Sequence, residues 1–506
     1  MHSCVSLLIA VAVLISTVQA GLEFPVYRLF QVERVSTVTT KHGSARPAAA
    51  VDGLLTSWVT ATKILDSAGP ALSASNATGG PAPLAKRVVV VKLTPESVTA
   101  DQISKACSAG VSGMLLVIPT GTTANQVAAL ERALMDTDLQ CTAFAAFESD
   151  VPAEILVSKP NSALSLTAPS AKPHSALDSA AMVNLYGTII GKETLEMSSK
   201  GLSNPTHAVN AHNDSLSLSP ALATASHHSG SSVAVLLEVM RVMSRLYNSP
   251  GSRPNHNLAF ILASGASLNY AGMRHWLDKL PVETSLEFAL CLEDITSAAD
   301  DSVADEFPMF LHISKPPKDP QVKRLYDAVI NAGTAVGVNV SIVHKKVHLA
   351  SEASWPHEAL AIKRVLGATL SRLPVAPALP QFSRHGSVVD RTPASPRTLA
   401  RLVELVCQAL AGIIFPDVHP QRLFDPKGGL AADEKFLSSW AETLAHTPRQ
   451  TPVPKEAPVV LAMHRVMSTA AETTESSWSY TVAPPSAANV KKTKAEEADE
   501  DEDEDE

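Results

Sequence analysis

Apolar positions along this chain follow two alternating rhythms: short unbroken runs, and longer stretches with a helical period. Residues 87–93, 113–118 and 141–147 are near-continuous apolar runs, the pattern of strands buried on both faces. Between them, residues 125–134 repeat apolar side chains at helical spacing, and Thr94-Pro95-Glu96 sets a proline where a first helical turn begins. This alternation predicts a parallel sheet covered by helices. A larger block repeats the pattern from about residue 183. Its strand-like runs are 258–263, 288–292 and 310–313; its helical stretches are 232–246, 321–332, 358–365 and 398–413. In the first of those helices Val233, Leu236, Leu237, Met240 and Met243 form one apolar stripe, with Arg241 and Arg245 on its wetter side. A short amphipathic helix carrying Phe436, Leu437, Trp440 and Leu444 follows Gly428-Gly429.

Breaks in the rhythm divide the chain. Residues 7–15 are an apolar run too short for a comfortable membrane span, and Val18-Gln19-Ala20 offers small residues for cleavage, so 1–20 reads as a signal peptide. Residues 21–157 then form an N-terminal α/β domain that opens on a strand-like segment at 21–32. Residues 158–182, rich in Ser, Ala and Pro, read as a linker. The main domain is 183–415, followed by an extension with short helices at 416–469 and a disordered acidic tail at 470–506. No glycine-rich phosphate loop interrupts the first domain, so no nucleotide is expected. The longest later apolar run, 405–415, is about half the roughly 20 residues a span requires, and it contains Gln408.

Composition changes this picture little. The chain has 506 residues, 45% of them hydrophobic and 5% aromatic, which suits helices and buried strands. The net charge of −9 is local, because ten acidic residues lie within 496–506. The remainder is near neutral, with no basic face, so nucleic acid is not an expected partner. Past the signal, Cys107, Cys141, Cys291 and Cys407 are too scattered for a disulfide framework, and Cys141 and Cys291, in apolar runs, are expected as buried thiols. Asn76, Asn213 and Asn339 head glycosylation sequons.

The candidate chemistry lies between Asn210 and Leu237. A His212-x-Asp214 pair, a loop, a Gly/Ser-rich turn and an apolar helix make the outline of a zinc-binding segment in which most of the acidic ligands are missing. No Gly-x-Ser-x-Gly elbow and no His-Glu-x-x-His occur.

Several stretches, in order and covering about half the chain, resemble the nicastrin/nicalin family of the zinc-aminopeptidase-like fold. They are Glu23-Phe-Pro-Val-Tyr-Arg28, residues 235–247, Asn269-Tyr-Ala-Gly272 through Trp276-Leu277, Leu311-His-Ile-Ser-Lys-Pro-Pro317, and Val343-His-Lys-Lys-Val347 with Trp355-Pro-His-Glu358. The resemblance implies an α/β fold: an aminopeptidase-like mixed sheet flanked by helices, with the smaller N-terminal α/β domain beside it. Active members of that fold hold two zinc ions with His and Asp ligands, a bridging carboxylate and a Glu-Glu pair whose one member is the general base. By the same resemblance His212 and His357 keep ligand positions and Asp214 could orient the His212 ring. His227 replaces the bridging Asp, Glu293 matches a later acidic ligand, and Ala266-Ser267 or Gly265-Ala266 stands where the Glu-Glu pair belongs. The expectation is therefore vestigial positions, with no catalytic residue, cofactor or metal. The implied role is a non-catalytic subunit in the endoplasmic reticulum, on the luminal side. It would associate with the membrane through a nodal-modulator protein and a small multi-pass membrane protein, and assist multi-pass membrane protein biogenesis at the translocon. The alternatives are a mononuclear zinc aminopeptidase using His212, His357 and Glu293 with His227, and a soluble luminal binding protein.

Overall fold

In the computed structural model, residues 24–481 are described apart from 45–49, 69–81, 158–161, 168–178, 194–202, 299–306, 348–352, 377–385, 416–419, 425–427 and a few shorter breaks. The signal-peptide reading of 1–20, Asn76 and the acidic run at 496–506 lie outside the described residues. The chain separates into two compact units: residues 1–31, 42–122 and 137–174, and residues 32–41, 123–136 and 175–506.

The first unit is built on the strands β1 (Tyr27–Arg28), β2 (Ala50–Ser57), β3 (Arg87–Lys92), β4 (Gly113–Ile118), β5 (Ala143–Phe147) and β6 (Ala163–Thr167), in the sheet order β1-β5-β4-β3-β2-β6. β2, β3, β4 and β5 run parallel, while β1 and β6 close the edges antiparallel. Parallel strands need crossovers, and α1 (Trp58–Ala68) and α2 (Ala100–Ser108) supply them. Thr99 caps α2 in a reciprocal box with Gln102; Pro95 and Glu96, read as a helix start, lie outside the described residues. Residues 158–182, read as a linker, instead hold β6 and the first residues of the next strand. Cys141 is also not a free thiol: it forms a disulfide with Cys107 of α2. Their spacing of 34 residues gave no framework signal, and the crossover geometry brings them together.

The second unit begins with α3 (Ala124–Met135) and resumes with β7 (Ser179–Ile189), β8 (Thr206–His212), α4 (Ser231–Asn248), β9 (Asn257–Ala263), α5 (Ala271–Lys279) and β10 (Leu286–Leu292). It continues through β11 (Pro308–Ile313), α6 (Pro320–Ala335), β12 (Asn339–His344), α7 (Pro356–Ile362), β13 (Gly367–Ser371) and α8 (Pro396–Ile414). It ends with α9 (Glu434–His446), α10 (Pro458–Ala470) and β14 (Glu472–Thr481). Proline at the first helical position starts α6, α7, α8 and α10, where a missing N–H costs nothing. The eight-stranded mixed sheet has the order β12-β11-β13-β10-β8-β9-β7-β14, with β13, β10, β8 and β9 parallel to one another.

One sheet face packs on α4, α6, α8, α9 and α10 in a large apolar core; the other packs on α5 and α7. Residues 416–469 are therefore part of the main core, since Leu437, Leu444, Val460, Met463 and Met467 are buried in it. Within the expected tail, Glu472–Thr481 forms β14, paired along β7. A half-wet edge strand of Thr, Ser, Trp and Tyr carries no apolar run to announce it. Among the described residues no helix is long and apolar enough to cross a membrane.

Candidate functional site

Parallel strands put their carboxyl ends on one edge of a sheet, where the following loops converge. Here that edge carries His212 at the end of β8, Ser264 to Ser267 after β9, and Glu293-Asp294 after β10. Residues 226–230 make a π-helical turn entered through Ala225 at φ +49° and leading into α4. That turn brings His227 and His228 to the same edge.

Three potential donors meet there. Among the described residues, one ligand atom each from His228, Glu293 and Asp294 lie within 4.8 Å of one another; His212 and His357 are outside that group. The His228 Nδ1 sits 2.7 Å from Asp294 Oδ1. Asp390 accepts the backbone N–H groups of His227 and His228 at 2.9 and 3.1 Å, which fixes the turn. Burial alone would lower the His228 pKa; the Asp294 carboxylate, by charge and hydrogen bond, with Glu293 and Asp390 behind it, raises it to about 9. Tyr270 sets its hydroxyl 3.1 Å from both Glu293 carboxylate oxygens.

The backbone around the site is strained. Ala225, Asn269, Tyr270 and Asp294 all have φ between +49° and +55°, an uncommon conformation for residues other than glycine. Asp294 is locked into it by its own N–H to the His228 carbonyl and by Arg372 N–H to its carbonyl. Gly272 explains the Asn-Tyr-Ala-Gly pattern: a Cβ there would lie 2.1 Å from the Ser264 carbonyl oxygen, in a contact cross-braced by Asn184.

The other sequence-predicted positions fall differently. His212 is buried beside the Tyr270 ring, centroids 5.1 Å apart, and neither of its ring nitrogens has a hydrogen-bond partner. Burial first, and the charge on His228 second, push it down to about 3, so it is neutral. Asp214 does not orient it. Asp214 Oδ2 instead accepts the Gly265 N–H at 2.5 Å and the Thr451 hydroxyl at 2.6 Å. His227 turns away to Thr296, 3.0 Å from its Nδ1. His357, on the first turn of α7, meets Thr369 of β13 at 2.9 Å and is pushed down to about 3 by burial, His312 and Lys345. The site histidine is thus His228, one residue from the expected His227, because the π-helical turn inserts an extra residue before α4. Asn213 is 1% exposed, accepts from the Ser264 hydroxyl and donates weakly toward Val183; a glycan on it is incompatible with this fold. Asn339 is exposed at the start of the edge strand β12.

Sequence reasoning missed three supports of the site: Tyr270, Asp390 and Arg449. Arg449 is 1% exposed and donates to the carbonyls of Asn213, Thr224 and Ala225. Burial pushes it down to about 10, opposed by Asp214 and Asp390. Its one available signal was an arginine directly after Thr447-Pro448, in a loop whose other charged residues are Lys455 and Glu456.

The donors do not fit a pair of zinc ions. Residues 264–267 carry no carboxylate, and a neutral imidazole offers one lone pair and cannot bridge two metals. His228 and Asp294 are in direct contact through the atoms that a metal between them would have to separate.

No family model matches the chain. It is 31% identical over 223 residues to the BOS complex subunit NCLN of Canis lupus familiaris, covering 42% of this chain and 38% of that protein. It is 28% identical over 255 residues to Nicalin of Caenorhabditis elegans, covering 46% and 42%. Over those residues the chain is similar to nicalin. It spans about two fifths of the length of the curated relatives it matches. The crystal structure of the gamma-secretase component nicastrin has the same fold, with a TM-score of 0.60 over 89% of this chain and 92% of that one at 9% identity. The resemblance carried by Asn269-Tyr-Ala-Gly272 and the other stretches is therefore borne out, as is a mixed α/β sheet flanked by helices. The fold places Tyr270 of that pattern on Glu293.

Proposed function

We propose that this nicalin-related chain is a non-catalytic subunit of an endoplasmic reticulum membrane complex that assists multi-pass membrane protein biogenesis at the translocon. Its partners would be a nodal-modulator protein and a small multi-pass membrane protein, which hold it at the luminal face. One relative's name, BOS complex subunit, supports membership of a multi-protein assembly. The observation that carries the non-catalytic half is the composition of the carboxyl edge: no carboxylate at 264–267, and a histidine at 227 where the resemblance puts the bridging acid. Peptide hydrolysis requires a base to take the proton from attacking water, and residues 264–267, where the resemblance puts the Glu-Glu pair, supply no carboxylate for it.

Two measurements decide it. The full chain is assayed on amino-acyl anilides with added zinc, and it is affinity-purified from cells after mild detergent extraction. No turnover, with stoichiometric recovery of multi-pass membrane proteins, is the expected result. Turnover lost in His212→Ala would return the chain to the aminopeptidases, and secretion into the medium without partners would make it a free binding protein.

A further inference from the structure

We infer that Asn339 carries an N-linked sugar, and that this sugar covers the open edge of the large sheet at β12. The inference rests on the luminal reading above, and its test separates the two failures. The Cys107–Cys141 disulfide supports the same kind of compartment independently, because disulfides form where the surroundings are oxidising.

The argument begins with access. An acceptor asparagine needs Ser or Thr two residues on, no proline between, and a side chain that reaches solvent. Asn213 meets the sequence rule and fails the spatial one, since it is buried with its amide turned to Val183 and Ser264. Asn339-Val340-Ser341 meets both. Side chains alternate along a strand, so Val340 turns into the core while Asn339 and Ser341 are exposed. The strand also starts from a fixed point. Gly337, at φ +71°, turns the chain out of α6, and the Val338 N–H bonds back to the Gly333 carbonyl. Arg401 of α8 donates to the carbonyls of Val336 and Gly337. Asn339 is therefore presented outward from a braced turn.

The edge itself supplies the reason for a cover. Among the described residues β12 pairs with β11 alone and ends the eight-stranded sheet. An open edge offers unpaired N–H and C=O groups to any other strand, and proteins guard it with charge, proline, a bulge or a covering group. The far edge has its own guard, because β14 carries the exposed acids Glu472 and Glu475. On β12, residues 339–343 read Asn-Val-Ser-Ile-Val, with no charge and no proline, and Ile342 is 37% exposed. An uncharged, β-branched segment on an edge is the pattern that pairs with copies of itself. A bulky, hydrated sugar on its first residue blocks that approach.

The donor required is an oligosaccharide linked to a lipid diphosphate. The Asn339 amide nitrogen forms a bond to the anomeric carbon of the sugar, and the bond from that carbon to the diphosphate breaks. The lipid diphosphate leaves with the electron pair, and the nitrogen gives up one proton. The Ser341 hydroxyl is the part of the sequon that marks this asparagine for transfer.

The test uses the full chain made in cultured animal cells. Asn76→Gln removes the third sequon, and an acceptor sequon appended at the carboxyl terminus serves as the control. Glycopeptides are mapped by mass spectrometry, with and without peptide N-glycosidase. Expected is sugar on the appended sequon and on Asn339, with Asn213 bare. Asn339→Gln and Ser341→Ala should each lose one glycan, and Ser341→Thr should keep it. Sugar on the appended sequon with Asn339 bare overturns this inference and leaves the luminal reading standing. Sugar on neither overturns the luminal reading and this inference with it. Covering is read by sedimentation of the purified protein. Asn339→Gln should shift toward larger species, and adding Ile342→Lys, which puts a charge on the edge, should shift it back. Asn339→Gln sedimenting as the glycosylated protein does would overturn the covering role.

Discussion

At the amino end of β8, His207 stacks on His256, ring centroids 5.3 Å apart, with neither His207 nitrogen hydrogen-bonded and its closest carboxylate, Glu287, 4.0 Å away. At the carboxyl edge of the same sheet, His228 meets Asp294 at 2.7 Å, with Glu293 and Asp390 nearby. Both histidines are buried. Burial, then His256 and Arg324, push His207 down to about 4, while His228 is raised to about 9. Burial disfavours the charged ring at either end; only the acids at one end reverse it. The two therefore limit stability from opposite sides. His228 supports the fold below pH 6.5 and loses that effect toward pH 9. His207 must stay neutral, so its folded state loses ground as pH falls from 6.5 toward 4.

The sharpest way to break this contrast is Asp294→Asn. It makes the carboxyl edge resemble the amino end by leaving His228 without its principal acid. Removing one partner of a buried pair costs about 3 kcal/mol. We expect a loss near that size at pH 7 by urea unfolding, and almost none at pH 10, where His228 is neutral in both proteins. An equal loss at both pH values would assign the effect to packing and dissolve the comparison. Next in size, His207→Phe keeps the stack on His256 and removes the ring that acid must charge. It should be near neutral at pH 8 and stabilise by about 1–2 kcal/mol at pH 5, read from urea midpoints. His212 and His357, also pushed down to about 3, will leave part of the acid sensitivity in place.

Much of the frame behind this contrast was legible in the chain. The apolar runs at 113–118 and 258–263 became β4 and β9. The helical period of 398–413 became α8, because a helix buried on most sides writes its packing into its sequence. His212 closes the buried strand β8 and Glu293 directly follows the buried strand β10. The site itself was much less legible. His228 rather than His227 faces the acids because of a π-helical turn, a local geometry with no compositional mark. Asp390 and Arg449 come from segments 162 or more residues beyond the turn that they hold, and only the tertiary fold brings them there. β14 escaped because an edge strand need satisfy only one neighbour and one half-dry face.

A third buried ionisable group sharpens the rule from the acid side and should give the smallest effect. Glu131 of α3 accepts the Ser387 hydroxyl and, at 2.9 Å, the Val388 N–H, two residues before Asp390 grips the His228 turn. Burial raises it to about 7, against the pull of those two donors and of Arg132. Like His207, it is buried without an opposite charge in direct contact, so its neutral form is the favoured one. A folded-state pKa above the ordinary 4.5 means that stability declines as pH rises from 4.5 through 7. Glu131→Gln keeps a carbonyl oxygen for the Val388 N–H and removes the charge. It should match wild type at pH 5 and exceed it by about 1 kcal/mol at pH 8 in urea unfolding. A variant weaker than wild type at pH 8 would mean that two hydrogen-bond donors suffice to hold a buried anion. In that case direct charge pairing would not be what separates His228 from His207, and the contrast between the two ends of β8 would need another cause.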